Sequence, residues 1–169
     1  MPRRFDALKF DLEHLKETAE KCKNWGRWGV NDEIGTLNYI TPETITAAAR
    51  LIRSGKVFSL GLNFDRKGPQ RGLWGNRYNP IHTMLATGTD AVSGNQDAGG
   101  LRYADDAVSM PLQCGTQWDG LGHIFYGERM WNGFDARLVD CNGAQKNGIE
   151  NTRDRMVGRG VLLDVARHY

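Results

Sequence analysis

The sequence predicts a mixed α/β domain with a largely β core and flanking helices. Two stretches repeat apolar residues at steps of three and four, which is the spacing of one helical face. A third stretch alternates apolar and polar residues, as a half-buried strand does. A fourth is a continuous apolar run with β-branched ends, as expected of a strand buried on both faces.

The first helix is expected over Leu8–Cys22, where Leu8, Leu12, Leu15, Ala19 and Cys22 share one face opposite Lys and Glu. It forms an N-terminal helical extension over residues 1–23, closed by Gly26 and Gly29 on either side of Trp28. The second helix is expected over Pro42–Ser54. Thr41 can cap it, Pro42 suits its first position, Glu43 favours its positive end, and Gly55 can stop it. Ile45, Ala48, Ala49 and Ile52 give its buried stripe. Val57–Phe64 follows as the alternating strand, through Phe58, Leu60, Leu62 and Phe64. Residues 65–80 and 88–107 are rich in Gly or polar residues and predict loops. Loops of that length in a compact domain are usually functional or mobile. Residues 113–126 predict a strand that bends into a loop, residues 142–155 are polar with a short helix expected near Ile149–Met156, and Val161–Val165 predicts the buried strand. No repeat or linker divides residues 1–169, so they are expected to form one domain.

Composition narrows the function. Lys plus Arg is 22 and Asp plus Glu is 20, a net charge of +2, too balanced to point to nucleic acid or an anionic membrane. No run approaches the roughly 18 apolar residues of a membrane span. The basic start, MPRRF, lacks the apolar stretch of a secretory signal, and three widely spaced cysteines do not suggest a disulfide framework. A reducing, cytoplasmic setting is expected. Glycine is frequent, 21 of 169 residues, which points to turns and to function carried on loops.

The chemistry concentrates in QCGTQWDGLGH, residues 113–123. Gln113, Gln117, Asp119 and His123 are interspersed with Gly115, Gly120 and Gly122, which let the backbone approach a ligand or turn sharply. If 117–119 is extended, Gln117 and Asp119 lie on one face. A carboxylate and an imidazole four residues apart can share a metal, act as ligand and general base, or form a satisfied hydrogen-bonded pair. Spacing alone leaves these alternatives open.

The same segment resembles the motif HxGTHxDxPxH of the cyclase family, which includes kynurenine formamidase and isatin hydrolase. Here it reads QxGTQxDxLxH, with Gly115, Thr116, Asp119 and His123 matching. Further stretches resemble a longer bacterial branch of that family: NWGRWGVNDEIGTLNYITPE (24–43), NRYNPIHTM (76–84), DGLGHIFYGERMWNG (119–133) and GRGVLLDVA (158–166). The resemblance implies a swivelling β/β/α-like fold and a metal-dependent hydrolase. Its substrate would be an amide, formamide or lactone of a small compound, expected to be aromatic. By position, Gln113, Gln117 and Asp119 would bind a divalent metal and His123 would be the acid–base group, with Asp119 also counted as catalytic. Zinc and manganese are the family metals. Glutamine carbonyls in place of two imidazoles favour manganese or magnesium over zinc.

Trp118 and His82 are the candidate substrate-binding residues, and Trp25, Trp28, Trp74 and Trp131 could join Trp118 in an aromatic wall or serve as packing. Asp32, Glu33 and Asn38 read as structural. The alternative function is a non-catalytic small-molecule-binding or structural relative, with Gln113 and Gln117 marking a lost metal site. The resemblance covers the first part of a family domain. The chain is therefore expected to work as a homo-oligomer or with a C-terminal half, as an apolar edge such as Val161–Val165 needs cover.

Overall fold

In the computed structural model, residues 11–96 and 99–168 are described, so Leu8 and the start of the first expected helix lie outside the described residues. Among the described residues four α-helices occur in chain order: α1 (Leu12–Cys22), α2 (Pro42–Ala49), α3 (Gly88–Val92) and α4 (Val165–His168). Six strands pair as three antiparallel ribbons: β1 (Ile81–Ala86) with β2 (Asp105–Ser109), β3 (Phe125–Tyr126) with β4 (Arg129–Met130), and β5 (Val139–Asp140) with β6 (Gly143–Ala144). The chain divides into two compact units. One joins Met1–Gly55 to Asp119–Tyr169, and the other is Lys56–Trp118.

In the first unit, α1 is capped by Asp11, whose Oδ1 accepts from His14 N at 2.7 Å. Its apolar face is not sealed, since Leu12 and Leu15 are both more than half exposed. The α2 helix starts where the residues require it. Thr41 Oγ1 accepts from Thr44 N, Thr44 Oγ1 accepts from Thr41 N, and Pro42 needs no donor. It ends at Ala49 rather than Ser54, because Leu51 N and Ile52 N bond three residues back, to Ala48 O and Ala49 O, and tighten the last turn.

The segment 24–40 is held by its own polar side chains. Asp32 Oδ2 accepts from Gly35 N at 2.8 Å and Asp32 Oδ1 from Asn38 Nδ2 at 2.7 Å. Asn132, itself at φ 63, donates to the carbonyls of Gly29 and Asp32 and accepts from Gly26 N. Gly35 is buried at φ 57, with the Trp131 ring 3.3 Å from where a β-carbon would sit. The Arg137 guanidinium, bonded to Asp135 at 2.9 and 2.6 Å, holds that carboxyl well below the usual carboxylate range and closes the turn that follows β4.

In the second unit, β1 and β2 pair from Ile81↔Ser109 to Ala86↔Asp105, with a bulge between Met84 and Ala86. Thr87 and Asp90 form a reciprocal capping box on α3. Asn79 ties the preceding loop together, accepting from Gln70 N and donating to Arg66 O and Gln70 O.

The mixed helix-and-strand character matches expectation, but two expected strands are absent among the described residues. Val57–Phe64 and Val161–Val165 join no ladder, and Val165 instead opens α4. Their apolar side chains are exposed, Val57 and Leu162 each at 89%. Apolar patterning supplies the faces of a strand, while a strand also needs a neighbour to receive its N–H and C=O groups.

Replacing Gly35 with Ala forces a side chain into left-handed backbone and against Trp131. We expect Gly35→Ala to lower stability by about 1–3 kcal/mol, read as a lower urea midpoint by tryptophan fluorescence.

Candidate functional site

The boundary between the units falls between Trp118 and Asp119, so the 113–123 segment has two local settings. In the second unit, Cys114 is buried and its Sγ lies 3.3 Å from Tyr78 O. Gln70 Nε2 donates to Gln113 O, and Thr116 Oγ1 donates to Leu60 O at 2.5 Å. Gln113 is half-buried, whereas Gln117 and Trp118 are exposed. These bonds fix the backbone of 113–116 with side chains other than the expected ligands.

In the first unit, Asp119 and His123 are brought together. His123 Nε2 stands 3.8 Å from Asp119 Oδ2, and both side chains are half-exposed. The intervening residues bend into a single 3₁₀ turn, Leu121–His123, with His123 N bonded to Gly120 O at 2.9 Å. The turn is what carries a carboxylate and an imidazole four residues apart to one side.

The glycines explain how this turn is seated. A β-carbon at Gly120 would lie 2.8 Å from Ile149 N and 2.9 Å from Asn147 O, and one at Gly122 would lie 3.0 Å from Lys146 O. The Gly122 N–H donates to Asn147 O at 3.0 Å. The turn therefore lies backbone against backbone on residues 146–149, an approach open only to residues without a side chain.

Residues 146–151 are held in turn by Glu33. Its Oε1 accepts from Lys146 Nζ at 2.7 Å, and its Oε2 from Asn147 N at 2.8 Å and Asn151 Nδ2 at 3.2 Å. Asn147 is fully buried at φ 60, with Nδ2 donating to Trp131 O at 2.8 Å and Oδ1 without a hydrogen-bond partner among the described residues. Sequence reasoning placed Glu33 among structural residues and did not single out Asn147. The bonds of Glu33 span 113, 114 and 118 residues of sequence, and no local pattern announces such a bond.

The other candidates are distributed. His82 pairs with Asp106 across the β1–β2 ribbon, Nε2 to Oδ2 at 2.7 Å, beside a cavity of about 400 Å³ that both line with Phe64, Ala107 and Val108. Asp106 was not anticipated, since only strand register brings it to His82. Trp25 and Trp131 line one cavity of about 400 Å³ with Phe125, Tyr126 and Met130. Trp28 packs edge-on against Tyr39, and Trp74 and Trp118 are exposed in the second unit.

A metal expectation can be set against this donor chemistry. Asp119 and His123 supply one carboxylate and one imidazole. Among the described residues, no group of three or more His, Cys, Asp or Glu is placed to hold an ion. A zinc site draws on three or four protein ligands, of which this pair would supply two.

Comparison with known proteins agrees with the fold. The chain is similar to a solved structure described as the crystal structure of a novel cyclase, with 47% sequence identity and a TM-score of 0.79 over 88% of this chain and 49% of that one. The chain thus spans about half the length of that relative. No family model and no curated protein match it. The likeness supports the cyclase family, and the helices and small antiparallel sheets are consistent with a cyclase-family fold. Among the described residues no helix is long and apolar enough to cross a membrane.

The glycine contacts lead to a direct expectation. Gly120→Ala meets backbone rather than a yielding side chain, so it should destabilise the first unit by about 1–3 kcal/mol. Circular dichroism melts beside the wild type would show it, and an unchanged melt would refute the seating described above.

Proposed function

We propose that the chain is part of a cyclase-type hydrolase that opens an amide, formamide or lactone bond of a small, aromatic compound. The observation that carries this reading is the Asp119–His123 pair, 3.8 Å apart and solvent-accessible, within a chain 47% identical to a cyclase over most of its length. Water adds to the carbonyl carbon, the C–N or C–O bond breaks, and the departing nitrogen or oxygen takes up a proton. His123 accepts the proton from the attacking water and returns it to the leaving group, as a general base and then acid. The Asp119 carboxylate stabilises the imidazolium formed between those steps. Trp118 and His82 are proposed to contact the substrate.

The proposed cofactor is a divalent metal reached through Asp119, Gln113 and Gln117. The amide oxygens of the two glutamines suit manganese or magnesium better than zinc. The same glutamines support a second reading in which the chain is a non-catalytic relative, small-molecule-binding or structural, that has lost the metal site.

One screen separates the two. The purified protein is supplemented in turn with zinc, manganese and magnesium, its metal content is measured, and N-formyl aromatic amides, isatin-like rings and lactones are offered as substrates. Turnover of at least one class is expected. His123→Gln should lower kcat by roughly 10²-fold or more, and Asp119→Ala should remove bound metal. Restoring histidine through Gln113→His with Gln117→His should raise zinc affinity. Folded protein without turnover under any condition would leave the binding reading.

We also propose that the chain acts in an assembly, as a homo-oligomer or with a polypeptide corresponding to the rest of the relative. The exposed apolar side chains of 57–64 and 161–163 support this. Light scattering at micromolar concentration should show a mass above that of one chain, and a stable monomer would count against it.

A further inference from the structure

We infer that Glu33 is the positioning residue of the Asp119–His123 pair, an inference that rests on the hydrolase reading of that pair. Three donors converge on one carboxylate, two from side chains (Lys146 and Asn151) and one from the Asn147 backbone. The donors flank the strip of backbone on which the 120–122 turn lies. Asn147 is the shared member: its N–H goes to Glu33 and its C=O receives the Gly122 N–H. From Glu33 to the segment bearing His123 there are thus two hydrogen bonds in series, at 2.8 and 3.0 Å, through one fully buried residue.

A second brace starts from the neighbouring residue. Asp32 fixes Gly35, Gly35 leaves room for the Trp131 ring and Leu121 Cδ1, and Trp131 O receives Asn147 Nδ2. Both braces meet at Asn147. The sequence NDEIG therefore works at a distance: its two acidic residues hold a turn more than 80 residues further along the chain. The bonds of Glu33 run to Lys146, Asn147 and Asn151, the strip on which the turn rests, and its contribution is to the placement of the pair.

The oxygens of Glu33 are what the brace uses. An aliphatic side chain at position 33 would leave all three donors unreceived, the Asn147 N–H among them. The turn would then be free to lift from residues 146–149. A displacement of about 1 Å at a reacting group costs on the order of 10²-fold in rate.

The test compares wild type, Glu33→Leu and Lys146→Met. Glu33→Leu, which removes the bond to the Asn147 N–H, should lower kcat roughly 10- to 100-fold with KM held within about twofold, because placement and not ground-state binding is lost. Lys146→Met removes the ion pair but keeps the Asn147 N–H bond, and should retain kcat within about threefold, as a partly exposed ion pair is worth little. Amide hydrogen exchange gives a reading independent of turnover. In Glu33→Leu the Gly122 amide should lose protection about tenfold or more, while the Ile45 amide in α2 is unchanged. Wild-type kcat and Gly122 protection in folded Glu33→Leu would overturn the inference. If wild type hydrolyses nothing, the hydrolase reading fails while exchange at Gly122 still decides whether Glu33 holds the turn. Should Glu33→Leu not fold, Gly122→Ala displaces the same turn from Lys146 O with Glu33 intact, and unchanged kcat there would likewise overturn the inference.

Discussion

A single carboxylate organises the first unit. Glu33 is less than one-fifth exposed and faces the Lys146 ammonium at 2.7 Å with two amide donors on its other oxygen. A charged acceptor with several well-placed donors is stronger than the same number of neutral bonds, and leaving one of them unmade is costly once the group is shielded from water. Around it the polypeptide has little hydrophobic interior to rely on. Among the described residues the buried apolar side chains are Pro80, Ala91, Cys114 and Met130, and of these Met130 alone belongs to the first unit. With so few of them, the arrangement of 24–40 against 119–152 depends on directional polar contacts: Asp32 and Asn132 around the early turns, Asn147 and Trp131 beneath the later ones.

That reliance explains which parts of the fold the sequence disclosed. The start of α2 was legible because every group that makes it lies within four residues: Thr41, Pro42, Glu43 and Thr44. The end of α1 at Cys22 was legible for the same reason. Val57–Phe64 and Val161–Val165 have the composition of strands and are not strands here, since periodicity specifies two faces but says nothing about which backbone will pair with an edge. Two of the ribbons described are short and turn-driven: β5 and β6 meet around Cys141 and Asn142, and β3 and β4 around Gly127, whose φ is 59, whereas β1 and β2 pair across the longer segment 87–104.

The site divides along the same line. Asp119 and His123 could be singled out because both sit in one eleven-residue motif, and a local turn brings them together. Gln113 and Gln117 belong to the same motif, yet local spacing does not determine what such side chains coordinate. Glu33, Asn147 and Asp106 could not have been found from spacing, because their partners are distant in sequence or set by strand register. Asn147 came nearest to leaving a signal: in Asn-Gly it carries the residue type that tolerates left-handed backbone, as Asn132 does before Gly133.

Glycine seating of the 120–122 turn has a consequence for how such a protein can diversify. Positions that touch backbone leave no room for substitution, and close-packed interiors transmit even a methyl group of misfit to their neighbours. The turn is thus closed to gradual exploration at Gly120 and Gly122, while Leu121, half-buried with its Cδ1 near Gly35, has a side chain that can vary in size. New selectivity in a lineage built on this seating would have to arise on surrounding surfaces, with the turn inherited as a unit.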